Sequence, residues 1–381
     1  MGIVKFGDVV ERINIKVDQS NPQLNYMEHG RRIIIPIKYY VGGEHIEGSE
    51  FMVHKKALIQ GSTIGYQFQF GFRKGDILFM TKNPHLRKAS MVDFDGLCSI
   101  ATFVIASKSN NLLQNYLLLE MQSDRFWQYC EDNKSGGVNY FINWGTLSNY
   151  EFDLPPIEKQ KELADKLWAA YRLKEGYKRL LAAIDEMVKS QFIEMFKNIP
   201  SVKIADCCIT VSGGTPNTKK IEYYDGGDIP WLSSGEINQG YIFSTDKYIT
   251  QLGLENSSAK WVPANSVVIA MYGATAGKVG FIKIPLTTNQ AVCTLLPNDG
   301  FEPLYLYYAT LSKTSWMISQ CRGAAQPNIS QSIIRSMEIP MATIDEQKRF
   351  CKLLTQADKS KFELKQCIEN IDKVIKSLIN G

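Results

Sequence analysis

One stretch of this chain is written twice, 187 positions apart, and that repeat limits the fold more than any other feature. "FDLPPIEKQK" (152–161) returns as "IPMATIDEQK" (339–348), with Gln160 meeting Gln347. At the same offset Ile142 meets Ile329, Asp185 meets Asp372, and Lys189-Ser190 meets Lys376-Ser377. After each copy, apolar residues recur at alternating spacings of four and three. The first run is Leu163, Leu167, Ala170, Tyr177, Leu181, Ile184 and Val188. The second is Phe350, Leu354, Ala357, Leu364, Ile368, Ile371, Ile375 and Leu378. That is the seam of a long helix that must pair. Each seam is broken at the same place by a lysine, Lys174 and Lys361. A lysine there fixes register at a cost in stability; the alternative is that each snorkels to solvent. Pro155-Pro156 suits the first turn of the first helix. About 39 residues per helix give about 58 Å at ~1.5 Å per residue. An antiparallel pair is favoured because an inverted repeat then closes with approximate two-fold symmetry; a parallel or intermolecular pair has the same seam.

The rest of the repeat is two mixed globular halves. "VKFGD" (4–8) resembles "VKIAD" (202–206), and "KGDILFM" (74–80) resembles "ANSVVIA" (264–270). The chain is therefore expected to be α/β (α+β), with a first globular domain over 1–155 and a long helix over 156–200. A second domain over 201–341 and a second helix over 342–381 follow. Strand-like runs include 32–37, 77–80, 102–105, 267–271 and 291–296; helices fit 111–129 and 303–321.

"YGATAGKVG" (272–280) is nearly a phosphate-binding loop. Its glycines are one residue too close for G-x-x-x-x-G-K-[ST], and Val279 stands where a hydroxyl should meet magnesium. β-formers flank it on both sides, so it reads as a turn between strands, with no helix N-terminus to hold phosphate. By the repeat, "TKNPHLRKAS" (81–90) occupies the same place in the first half and sets Lys88 opposite Lys278.

Composition narrows the classes. With 44% hydrophobic residues and a net charge of +4, the chain is globular and only weakly basic. A nucleic-acid site therefore has to concentrate its charge on one face. The 8 cysteines include no C-x-x-C, and no Cys/His group has zinc spacing. His45 and His54 read as loop residues rather than ligands. No apolar run reaches membrane length, and "MGIVKFGDVVERI" has neither a signal core nor a myristoylation site. No PD…ExK nuclease set, G-x-S-x-G or H-E-x-x-H occurs. Leu154-Pro155-Pro156-Ile157 lacks the amide and aromatic of an amino-methyltransferase motif.

The polar loops carry candidate DNA contacts. Asn and Gln read adenine edges, Arg reads guanine, and Lys, Arg, Ser and Thr anchor phosphates. In the second half the candidates are Ser233, Thr275, Lys278, Asn289, Gln290, Arg322, Gln326 and Asn328. In the first half they are Arg31, Arg32, Lys82, Asn83, Arg87 and Lys88. The competing account for each is ordinary turn chemistry. Trp231 reads as a core anchor.

"IPWLSSGEINQGYI", "YGATAGKVG", "TTNQAVCTLLP", "GAAQPNISQSIIRSMEIP" and the two helix starts together resemble the specificity subunit of Type I restriction-modification systems. The resemblance covers essentially the whole chain and is strongest in the second half. It implies two target-recognition domains that each read part of a bipartite, asymmetric double-stranded DNA sequence. It also implies an antiparallel coiled-coil spacer and no catalysis or cofactor on this chain. Two modification subunits would bind S-adenosylmethionine and methylate adenine; restriction subunits would use ATP and Mg. Gln160 and Gln347 are then candidate partner-docking residues, no metal is expected, and the place is the cytoplasm of a bacterium or archaeon. Two other classes stay open: a DNA-modifying enzyme with a degenerate methyltransferase motif, and a coiled-coil adaptor that binds no DNA.

Overall fold

The computed structural model describes residues 2–238, 240–298, 300–323 and 327–381. The chain divides into two compact units, Met1–Arg179 with Lys365–Gly381, and Leu180–Leu364. The division does not follow the expected linear boundaries, because each unit takes a part of both long helices.

In the first unit, strand Gly2–Lys5 pairs antiparallel with Glu151–Leu154 and ties the start of the globular part to its exit, Val4 opposite Phe152. The central antiparallel sheet has the order Ala89–Met91, Ile77–Met80, Thr102–Ser107, Val10–Ile13. Successive side chains of a strand point to opposite faces. Ile77 and Phe79 accordingly join a core with Leu117, Phe126 and Trp127 on the helical side. Leu78, between them, packs with Phe72, Cys98 and Val104 toward a second sheet. That sheet runs Ile15–Lys16, Phe68–Phe72, Gly96–Ser99, Tyr39–Val41, Ala57–Leu58. A hairpin of Gln23–Glu28 and Arg31–Pro36 stands beside it.

The second unit repeats the plan. Its main sheet runs Cys208–Ser212, Val292–Pro297, Val267–Ala270, Val279–Ile282, with Gly240–Ile242 added at the edge. Val267 and Ile269 face the core with Tyr305 and Phe350, and Val268 and Ala270 face the other layer. The second sheet runs Tyr248–Ile249, Ile229–Leu232, Leu286–Thr288, Trp261–Val262. Both second sheets hold a parallel pair at the same place, Gly96–Ser99 with Tyr39–Val41 and Leu286–Thr288 with Ile229–Leu232, and the second unit adds another where Gly240–Ile242 joins Val279–Ile282. Among the described residues, the hairpin of Gln23–Glu28 and Arg31–Pro36 has no counterpart in the second unit's sheets.

Two expected helices are each two. The run 111–129 is Gln114–Gln122 followed by Asp124–Asp132; Ser123 leaves the helix and its hydroxyl accepts from Phe126 N at 3.2 Å. A serine N-cap outcompetes continuation because it satisfies a free N–H of the next helix. The run 303–321 is Pro303–Leu311 and Thr314–Gln320. The long helices are Ile157–Phe196 and Ile344–Asn380. Thr343 and Glu346 exchange capping bonds at the second start. Their apolar seams bury against the globular parts as well. Leu167, Tyr171 and Ile375 lie in the first core with Phe6 and Trp127. Val188, Phe192, Leu354 and Ala357 lie in the second with Ile204 and Tyr305.

Candidate nucleic-acid interface

In the second unit, Val267–Ala270 and Val279–Ile282 are antiparallel neighbours, so the near-P-loop is a turn between strands. Gly273 (φ 79°) and Gly277 (φ 83°) take left-handed conformations that favour glycine. Ala270 N donates to Lys278 O at 3.0 Å and Gly277 N to Ala270 O at 2.8 Å, which closes the turn. A second loop zips onto it: Gly273 N donates to Pro327 O at 3.0 Å, while Arg322 and Asn328 exchange backbone bonds at 2.9 Å.

Several candidates are occupied by their own loops. Ser233 caps a turn through its N and Oγ bonds to Glu236 Oε1, at 2.9 and 2.7 Å. Thr275 Oγ1 donates to Ser234 O at 2.8 Å. Asn289 Oδ1 accepts from Ala291 N at 3.1 Å, and Gln290 Oε1 accepts from the Thr215 hydroxyl. Arg322 and Asn328 keep exposed side chains. Among the described residues, Lys278 Nζ has only a long 3.5 Å approach to Asn238 Oδ1. Tyr272, which sequence reasoning did not single out, stands 44% exposed on the open side of this turn. Gln326 lies outside the described residues. Trp231 is buried and donates to Gly214 O at 3.0 Å, as a core anchor does.

The first unit builds the same turn from different residues. Met80 N donates to Lys88 O at 2.9 Å, where the other unit has Ala270 and Lys278. Asn83 and Arg87 adopt left-handed φ of 53° and 50°. Asn83 N donates to Tyr140 O at 2.9 Å, the counterpart of Gly273 and Pro327. Arg87 is paired with Asp124 at 2.5 Å, and Lys88 Nζ donates to Gly43 O at 2.6 Å. Both were expected to face DNA; here their charged ends bond within the first unit, Arg87 to the start of the helix Asp124–Asp132 and Lys88 to a loop carbonyl. Lys82 and Asn83 open onto a groove of about 950 Å³ that also takes in Tyr66, Gln67, Asn139 and Phe141. Arg31 and Arg32 are exposed on the separate hairpin, Arg32 Nε donating to Asn25 Oδ1 at 2.9 Å, and do not line that groove.

The docking expectation for Gln160 and Gln347 is corrected: both are fully buried. Gln160 Oε1 accepts from Leu113 N at 2.9 Å, and its Nε2 donates to Asn111 O and Pro155 O at 2.7 and 2.8 Å. Gln347 repeats the clamp on Glu302 N, Gly300 O and Ala342 O, at 2.8, 2.9 and 2.9 Å. A primary amide is matched by three backbone groups each time, because buried polar groups must be paired. Lys174 and Lys361 each meet an aspartate of the other long helix, Asp372 at 2.7 Å and Asp185 at 3.1 Å.

Among the described residues, Glu50, His54 and Glu175 are the one cluster of metal-ligating types. Lys178 Nζ lies 3.2 Å from Glu50 and 2.9 Å from Glu175, so the chain supplies the cation itself. Burial opposes the charge on Lys178, but these carboxylates outweigh it and hold the amine above its usual value. No helix of the described residues is long and apolar enough to cross a membrane.

The family model of the Type I restriction modification DNA specificity domain matches twice, over residues 3–185 and 197–373. The specificity subunit of the Type I restriction enzyme EcoR124I/EcoR124II of Escherichia coli is 32% identical over 151 residues, 38% of this chain and 37% of that protein. The MjaIX specificity subunit of Methanocaldococcus jannaschii is 31% identical over 184 residues, 47% of this chain and 42% of that protein. These matches thus span about two-fifths of each relative. Two solved structures share the fold along nearly the whole chain. The Type I restriction-modification S subunit from M. genitalium has a TM-score of 0.59 at 11% identity, covering 99% of this chain and 94% of that one. A chain from a structure of the type I R-M system gives 0.59 at 18% identity, covering 99% and 96%.

Proposed function

This chain belongs to the Type I restriction modification DNA specificity family, and we propose that it reads a bipartite, asymmetric double-stranded DNA target and directs adenine methylation and restriction by partner subunits. The observation that carries the reading is the zipped pair of loops built twice on equivalent sheets with different chemistry. Gly273 N bonds Pro327 O in one unit and Asn83 N bonds Tyr140 O in the other. Yet Tyr272 stands where the first unit has Lys82. Equivalent turns with unlike side chains suit two unlike half-sites, since base contacts specify and phosphate contacts position.

In this proposal the two long helices form an antiparallel coiled coil that sets the distance between half-sites. A step of eleven residues forward from Lys174 to Asp185 goes with eleven back from Asp372 to Lys361, the register of an antiparallel pair. The chain itself is non-catalytic. Two modification subunits bring S-adenosylmethionine, restriction subunits bring ATP and Mg, and the assembly works in the cytoplasm of a bacterium or archaeon. The test is to co-express the full chain with modification subunits and map methylated adenines. One bipartite motif is expected, and exchanging residues 201–341 for those of another family member should change only one half. Turnover of DNA, ATP or S-adenosylmethionine by the purified chain alone would sink the non-catalytic reading.

A further inference from the structure

We infer that in the first unit the loop 135–141 is a base-reading element, with the Asn139 amide reading an adenine edge and Lys82 holding the adjoining phosphate. The inference rests on the DNA-reading function proposed above and names the site within it. Nothing in the composition of "SGGVNYF" marks it, and its likeness to "RGAAQPN" (322–328) is carried by geometry. Ser135 and Phe141 exchange backbone bonds at 2.7 and 2.9 Å, as Arg322 and Asn328 do. Gly136 has φ 98° and Gly323 has φ 91°, 187 positions apart. A Cβ on Gly136 would sit 2.5 Å from Asn139 O, so glycine is what lets this loop close. Both loops then bond to the equivalent point of the neighbouring turn.

The loop is built outward. Val138 at its tip is 94% exposed, and Asn139 is exposed beside it. Asn139 shares its groove with Tyr66, Gln67, Lys82, Asn83 and Phe141. Among the described residues, the side chains of Asn139, Gln67, Lys82 and Asn83 make no hydrogen bond, in contrast to the occupied Arg87 and Lys88 nearby. Lys134 is also spent, on Glu131 at 2.6 Å and over the Tyr140 ring at 4.4 Å. Lys82 is left as the ammonium beside the loop, to which its backbone is bridged at Phe141. A carboxamide offers one donor and one acceptor side by side, the match for adenine N7 and N6 in the major groove. The lysine supplies a point charge for phosphate. An ordinary surface turn explains the glycines; the case for reading rests on four polar side chains that line one groove with no hydrogen bond to the described residues.

The experiment uses the full chain assembled with modification subunits and a randomised duplex library, sequencing the bound fraction at several salt concentrations. Asn139→Ala is expected to lower discrimination about ten-fold at an adenine of one half-site and to leave the salt slope alone. That half-site should be the one unaffected by exchange of residues 201–341. Asn139→Asp, which keeps the shape and removes the donor pair, should lose the same preference. Lys82→Ala should weaken all sequences alike and lower the salt slope by about one. Wild-type preference and affinity in both Asn139 variants, or a change in the other half-site, would overturn the inference and leave the function standing. A wild-type complex with no sequence preference would overturn both.

Discussion

Lys174 Nζ lies 2.7 Å from Asp372 Oδ1, within the first unit. The repeat writes the pair again with the helices exchanged: in the second unit Lys361 Nζ lies 3.1 Å from Asp185 Oδ1. The Lys174 side chain is only 16% exposed, so it is held at the seam rather than extended into water. Lys174→Asp sets two carboxylates against each other and is expected to cost about 1 kcal/mol or more, given the modest worth of partly exposed pairs. Adding Asp372→Lys should recover most of it. Urea unfolding of the single and double variants measures the coupling; strictly additive losses would mean that the pair does not fix register.

Gln160 and Gln347 test structure against docking. Gln347→Leu keeps the volume but leaves Glu302 N, Gly300 O and Ala342 O without their partner. Each buried unpaired group costs about 1–3 kcal/mol, so a large drop in the urea midpoint is expected, and likewise for Gln160→Leu. A variant of unchanged stability that fails to bind modification subunits would restore the docking role.

The two equivalent lysines should behave differently. Lys278→Ala is expected to weaken DNA binding across all sequences and lower the salt slope by about one. Lys88→Ala removes the bond to Gly43 O, so it should lower thermal stability and barely move the slope. Equal slope changes in both would show that Lys88 leaves its carbonyl when DNA arrives.

Alkaline pH should reach the second unit through Lys361. Burial opposes its charge, but hydrogen bonds to Asp358 and Asp185 outweigh that and raise its value. A raised lysine stabilises fully below the ordinary value of about 10.4 and loses that gain as pH climbs through the folded value. The Tm gap between wild type and Lys361→Met is therefore expected to be flat to about pH 10 and to narrow above it. A gap that widens with rising pH contradicts the assignment.

The spacer reading predicts a ruler. One heptad inserted into both long helices at matched places adds about 10.5 Å at ~1.5 Å per residue. That is roughly three base pairs at about 3.4 Å each, with a phase mismatch because DNA turns about 100° over that length. Methylated sites should move to a longer spacer with lower efficiency. Robust methylation at the original spacing would leave the helices as a docking surface only.

The amino-acid sequence by itself determined the duplicated plan, the two long helices and the strand–turn–strand identity of the Tyr272–Gly280 stretch. These depend on signals carried within a few residues: the alternating apolar spacing, Pro155-Pro156 before a helix, and glycines where φ must be positive. Ser123 was such a signal too, but the apolar run across it hid the cap. Tertiary structure alone decided which polar groups stay free. Gln160 looked like a surface residue until Asn111, Leu113 and Pro155 closed around it. Arg87 and Lys88 looked like phosphate contacts until Asp124 and Gly43 took their charged ends. Asn139 carried no motif until its loop bonded to Asn83 across more than fifty residues of chain. The physical reason is that backbone conformation is a local preference, whereas the availability of a side chain is settled by what long-range packing places within about 3 Å of it.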